Sequence, residues 1–181
     1  MTCKLQIPYV SQEDLGAKAF ANDCGPTCLK MLLGWAGLAE KVSVDQISRD
    51  IKIAPRGKGS FAGFNQLMFA ASKYGLKLVY QRPTSLDKLR AELDAGRPSI
   101  ALIHYGSISR RQSTFNGGHF VIVSGYDDDL IFLHDPDWWG DRRDEGIYLP
   151  VPADEFETAY GPVGAKKAGN IPYQALLVKV G

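Results

Sequence analysis

HFVIVSGYDDDLIFLHD, residues 119–135, decides how this chain folds. Two apolar runs rich in β-branched and aromatic residues flank three aspartates, Asp127, Asp128 and Asp129, so the segment reads as an antiparallel hairpin with a short acidic turn. His119 opens the first strand and Asp135 closes the second. Their numbers differ by 16 with a midpoint at 127, in the turn. In a hairpin without a bulge, that even separation puts both side chains on one face, opposite or diagonal, roughly 5 to 8 Å apart. His134 has the opposite parity and is expected to face away.

Further strands follow on either side: SIALIHY at 99–105, QALLVKV at 174–180 and LKLVY at 76–80. Upstream the period becomes helical. From Pro26 to Trp35, Cys28, Leu29, Leu32, Leu33 and Trp35 share one face, with Pro26 in the first turn and Gly37 just past the end. A second helix is predicted from Val44 to Ile51, capped by Ser43. A third, Ala62 to Tyr74, buries Phe64, Leu67, Met68 and Ala71, and a fourth, capped by Ser85, ends at Gly96. Helices clustered first and strands later predict an α+β fold, N-terminal helices packed on a mainly antiparallel sheet. Segments 54–60, 106–118 and 161–170 read as loops long enough to border a site.

A length of 181 residues fits a single domain, 1–181, able to bury roughly 70% of its unfolded surface. With 45% hydrophobic and 23% charged residues the composition is that of a globular protein, and a net charge of +1 gives no field to draw nucleic acid or an anionic membrane. The first residues lack the apolar core of a secretory signal and no stretch is long enough to span a bilayer, so a cytoplasmic protein is expected. Three cysteines, an odd number, suit a reduced setting. Cys24 and Cys28 form a lone C-x-x-x-C without a matching second pair, so neither a metal nor a cofactor is expected.

Within NDCGPTCLKM, residues 22–31, Cys24 stands where a helix begins. Backbone N–H groups and the positive end of the helix dipole favour an anionic sulfur there, which prepares a nucleophile. Gly25 lets a substrate come close, and the Cys24 N–H is available to an oxyanion. Cys28, one turn deeper, reads as structural. A thiol nucleophile needs a base, and of His104, His119 and His134 only His119 has a carboxylate, Asp135, placed to orient its ring. His104, in an apolar run, reads as structural. Gln6 and Gln12 both precede the cysteine and could donate to the oxyanion; spacing does not choose between them.

IPYVSQ followed by DCGPTCLKMLL resembles the opening of the C39-like cysteine peptidases, within the papain-like superfamily. GGHFVIVSGYDD resembles that family's histidine strand, LHDP its aspartate-proline, and GSFAGFNQLMFAASKYGL and LRAELDAGRPSIALI its two middle helices. The likeness spans about residues 5 to 136. Carried over by position, it implies Gln12 as oxyanion donor, Cys24 as nucleophile, His119 as base and then acid, and Asp135 as orienting carboxylate, on a papain-like fold acting on a peptide or protein. Transporter-linked relatives of the family cut leader peptides after paired glycines. The chain departs from the pattern in EDLGAKAFAND, longer than the same interval in papain, and in DWWGDRRDEG after Pro136, where Trp138 and Trp139 either wall a substrate or pack over the hairpin. The expected activity is hydrolysis of a peptide or related amide bond through a thioester. The alternatives are an acyltransferase, deamidase or cell-wall amide hydrolase using the same residues, and a binding module that keeps the fold without turnover.

Overall fold

Near-continuous apolar runs in the central strands bury both faces of the sheet. In the computed structural model, which describes residues 2–13, 23–38, 41–52 and 61–179, the strands are β1 (Cys3–Lys4), β2 (Leu78–Gln81), β3 (Ser99–His104), β4 (Gly118–Tyr126), β5 (Leu130–His134), β6 (Leu149–Pro152) and β7 (Ala175–Val178). Their order is β2-β7-β3-β4-β5-β6, with β1 added to β4, and every pairing is antiparallel. Ile100, Phe120, Ile122 and Leu176 project from one face into a cluster with helices α1 (Cys24–Trp35), α2 (Val44–Asp50) and α3 (Phe64–Lys73). Ala101, Ile103, Val121, Val123 and Leu177 project from the other, against α4 (Leu86–Asp94) and α5 (Ala153–Tyr160). Leu29, Leu32 and Leu33 of α1 are fully buried, each contributing about 1.5–3 kcal/mol of transfer free energy.

The predicted helices form with small shifts. α1 starts at Cys24, two residues before Pro26, and α2 is capped as expected, Ser43 Oγ accepting from Gln46 N at 3.1 Å. Ser85 caps α4 in the same way, accepting from Lys88 N. In α3, Leu67 and Ala71 are buried as predicted, whereas Phe64 and Met68 are half-buried. The 161–170 reading as a loop is corrected: Pro162–Ala168 is a helix, α6. Proline at its first position and Gly169 in the left-handed conformation at its end are the start and stop signals of a helix. β6 and α5 also follow the stretch that matched no pattern. Segment 106–118 runs from a short 3-10 turn, Tyr105–Ser107, through irregular chain to β4, while 54–60 lies outside the described residues. Among the described residues no helix is long and apolar enough to cross a membrane.

The hairpin reaches the predicted arrangement by another route. Next to the turn, Tyr126 pairs with Ile131 and Gly125 with Phe132, a register in which residues 119 and 135 would point to opposite faces. A bulge between Val123 and Gly125 shifts the count by one, so that Ile122 pairs with His134 and even parity returns. Ser124, the extra residue, is buried and donates its Oγ to Phe132 O at 2.9 Å, while its carbonyl accepts from Leu5 N. Gly125 is required beside it: a Cβ there would lie 2.4 Å from Cys3 O and 3.1 Å from Lys4 Cα, both backbone atoms of β1. Gly125→Ala must push β1 off the sheet, and a loss of about 1–3 kcal/mol is expected. A urea midpoint equal to that of the wild type would contradict this.

Candidate active site

Cys24 is the first residue of α1, and no side chain caps that end of the helix. Its sulfur is a free, partly exposed thiol. Gly25 also has a packing reason: a Cβ would come within 3.0 to 3.3 Å of Ala62, Phe120 and Leu67, so the glycine lets the helix start lie tight against β4 and α3. Cys28 is fully buried, and its thiol is pushed well up by burial and then by the neighbouring Cys24 and Asp135.

His119 stands at the second position of β4, where the strand delivers its ring to the start of α1. Nε2 donates to Asp135 Oδ1 at 2.7 Å, and the Cys24 side chain lies near enough to the ring to favour its charge. The imidazole is 3% exposed. Burial opposes its charge, yet the Asp135 carboxylate and the Cys24 side chain outweigh that and hold it well above the ordinary imidazole value. Tyr105 lies against the ring with centroids 4.3 Å apart.

Asp135 has four donors. Oδ1 accepts from His119 Nε2 and from Asp137 N at 3.0 Å; Oδ2 accepts from Tyr105 Oη at 2.9 Å and Trp138 Nε1 at 3.0 Å. A carboxylate so saturated is fixed in place and fixes the imidazole in turn. Trp138, with no exposed surface, is therefore packing and a hydrogen-bond donor, and it does not wall a substrate.

Of the two glutamines, Gln6 is exposed and Gln12 is buried at the carboxylate end of this constellation. Gln12 N donates to Pro136 O at 2.9 Å, and Nε2 donates to Asp137 Oδ1 at 3.0 Å. The structure thus pairs His119 with Asp135, sets Cys24 near the same ring, and joins Gln12 to Asp135 through Asp137. Most of EDLGAKAFAND, residues 14–22, lies outside the described residues.

The other histidines are structural. His134 donates Nε2 to Ile7 O and accepts Tyr148 N at Nδ1, both at 3.2 Å, and burial holds it below the ordinary value. His104 is buried with Nδ1 at 2.8 Å from Ser107 Oγ. Sequence reasoning missed Tyr105, Ser113 and Asp137. Asp137 alone left a trace, two residues past Asp135 in the same DPDWW run. Among the described residues no group of three or more His, Cys, Asp or Glu side chains could hold a metal.

Cys24 borders a cleft of about 620 Å³ whose walls include Phe61, Phe64, Phe115, Phe120 and Ile171. Its lining also includes Gly117 and Gly118, at the end of the 106–118 segment, and Ala168 at the end of α6. The cleft is open and mostly apolar.

An α+β sheet with a cysteine at the start of its first long helix and a histidine–aspartate pair on its central hairpin defines a papain-like protein of the cysteine-peptidase type. The chain belongs to the Peptidase_C39 like family, whose model matches residues 4–168. Solved structures share the fold. A protein described as a C39-like peptidase from Bacillus anthracis superposes with a TM-score of 0.70 at 20% identity, over 100% of this chain and 98% of that one. A double glycine motif protease from an AMS/PCAT transporter, in complex with its leader peptide, gives 0.63 at 18% identity, over 98% and 95%. The peptidase domain of Streptococcus ComA, a bi-functional ABC transporter of a quorum sensing pathway, gives 0.60 at 16%, over 94% and 97%. At these identities the likeness is one of fold. No curated protein matches the chain.

Proposed function

We propose that the chain is a cysteine peptidase, acting as one domain, that hydrolyses a peptide bond through a thioester on Cys24. The observation that carries the reading is the 2.7 Å hydrogen bond from His119 Nε2 to Asp135 Oδ1, on a buried ring whose charge the nearby Cys24 side chain also favours. In this mechanism the sulfur attacks the carbonyl carbon while His119 carries the thiol proton. The ring then gives that proton to the leaving amine, the C–N bond breaks, and the acyl group stays on sulfur. Water, deprotonated by the now neutral ring, hydrolyses the thioester and restores the thiol. The Gln12 amide and the Cys24 backbone N–H hold the oxyanion in both halves. Asp135 keeps the ring turned with Nε2 away from the sulfur.

The open apolar cleft beside Cys24 suits an extended peptide, and a leader peptide bound to a protein of the same fold supports that substrate class. A nucleophile of this kind works where thiols stay reduced, which points to the cytoplasm. The test is incubation with a pooled peptide library under reducing conditions, read by mass spectrometry against Cys24→Ala. Cleavage products that appear only with the wild type are expected, and products joined to an added amine would identify acyl transfer instead. No cleavage above the variant's background would overturn the reading.

A further inference from the structure

We propose that Asp137 is a positioning residue: its carboxylate sets the orientation of the Gln12 side-chain amide, so that nitrogen and not oxygen is presented to the reacting carbonyl. This rests on the reading of Gln12 as oxyanion donor. Both side chains are buried, 7% exposed for Gln12 and 6% for Asp137. Asp137 is itself held from two sides, Oδ2 accepting from Ser113 Oγ at 2.5 Å while its own N–H donates to Asp135 Oδ1. With the carboxylate fixed, Oδ1 accepts from Gln12 Nε2 at 3.0 Å.

The decisive detail is on the other arm of the amide. Gln12 Oε1 is buried and has no hydrogen-bond partner among the described residues. Leaving such an acceptor unpaired is unfavourable, so the amide does not hold this orientation for the sake of its oxygen. Half a turn about the terminal bond would set Oε1 against Oδ1, two acceptors in contact, and Asp137 excludes that. Nε2 carries two hydrogens. One is taken by Asp137, and the second is what the amide has left to donate. Pinning of Gln12 N on Pro136 O holds the backbone in step with the same turn.

The test uses the full chain and the peptide that the wild type cleaves best from the pooled library. Asp137→Ala is expected to lower kcat about 10- to 100-fold with KM within about threefold, since the amide is free to turn its oxygen inward. Asp137→Asn can accept from Gln12 with its oxygen and donate to Ser113 with its nitrogen, so recovery to within about fivefold of the wild type is expected. In a Gln12→Ala background, Asp137→Ala is expected to change nothing further, because both act through one group. Multiplying losses in the double variant, or an asparagine variant as impaired as the alanine one, would overturn the proposal. Should Asp137→Ala not fold, Ser113→Ala loosens the same carboxylate; about a threefold loss, absent in the Gln12→Ala background, is expected.

A second readout needs no turnover. In Cys24→Ala protein labelled with 15N, the Gln12 side-chain amide protons are expected as two well-separated, slowly exchanging signals that merge and exchange fast when Asp137→Ala is added. Their persistence would overturn the proposal. Wild-type turnover in Gln12→Ala overturns the oxyanion role and this proposal with it. A wild type that cleaves no peptide overturns the peptidase reading instead, and the amide signals then decide alone whether Asp137 orients Gln12.

Discussion

In His119→Ala, peptide cleavage falls by about 10⁴-fold or more and iodoacetamide no longer labels Cys24 preferentially at mildly acidic pH. The magnitude follows from removing the one group that moves the proton in both halves of the reaction, which in comparable triads abolishes nearly all chemistry beyond binding. The labelling follows from the charge beside the sulfur. Asp135 and Cys24 hold the imidazole well above its ordinary value despite burial, so the ring keeps its proton to higher pH than a free imidazole and favours an anionic sulfur beside it. The sign of the pH dependence is thereby fixed. A group raised in the folded state gives its full contribution below the ordinary imidazole value, and that contribution is lost as the pH climbs through the elevated one. The alkaline limb of kcat/KM is accordingly expected on the basic side of neutral. A limb centred near 6.5 would contradict the assignment, as would a variant that keeps more than a tenth of wild-type cleavage.

Asp135→Ala is expected to cost more in folding than His119→Ala does. Removing this carboxylate strands four buried donors, His119 Nε2, Asp137 N, Tyr105 Oη and Trp138 Nε1. Breaking a buried charge network by removing one partner costs about 3–5 kcal/mol, which in a chain of this size lowers Tm by roughly 6–20 °C. His119→Ala strands a single acceptor already served by three other donors, so its Tm is expected to fall by less. A thermal melt of both variants separates the two effects. If Asp135→Ala melts with the wild type, the carboxylate has no such structural part.

The site was legible in the sequence where chemistry is local. A cysteine before G-P-T at a helix start and a histidine at a strand start each declare their place, and the structure joins them. The hairpin shows how a right placement can rest on an incomplete argument. Parity counted straight through the turn puts 119 and 135 on one face; the actual two-residue connection breaks that parity and the bulge at Ser124 restores it. A bulge is decided by tertiary contacts, here the Ser124 carbonyl taken by Leu5 N, and nothing in VSGY alone announces it. The choice of Gln12 over Gln6 was equally beyond spacing, since it depends on which one folds against Pro136 and Asp137. Helix α6 was misread although its proline and glycine were in view, because a run of Gly, Ala and Lys has no apolar stripe to betray it. Tyr105 reaches Asp135 across 30 positions, a pairing that only the assembled sheet creates.

The front of the chain is laced to the hairpin at intervals: Leu5 N to Ser124 O, Ile7 O to His134, Tyr9 Oη to the Asp135 carbonyl at 2.7 Å, and Gln12 to Pro136. These stitches join positions up to 127 apart, so each closes a long loop whose entropy cost the packed intervening chain must offset. Gln12 and Asp135 therefore depend on the same set of long-range contacts. The front of the chain is thus the buckle on the hairpin: loosening it frees the Gln12 amide and the Asp135 backbone together.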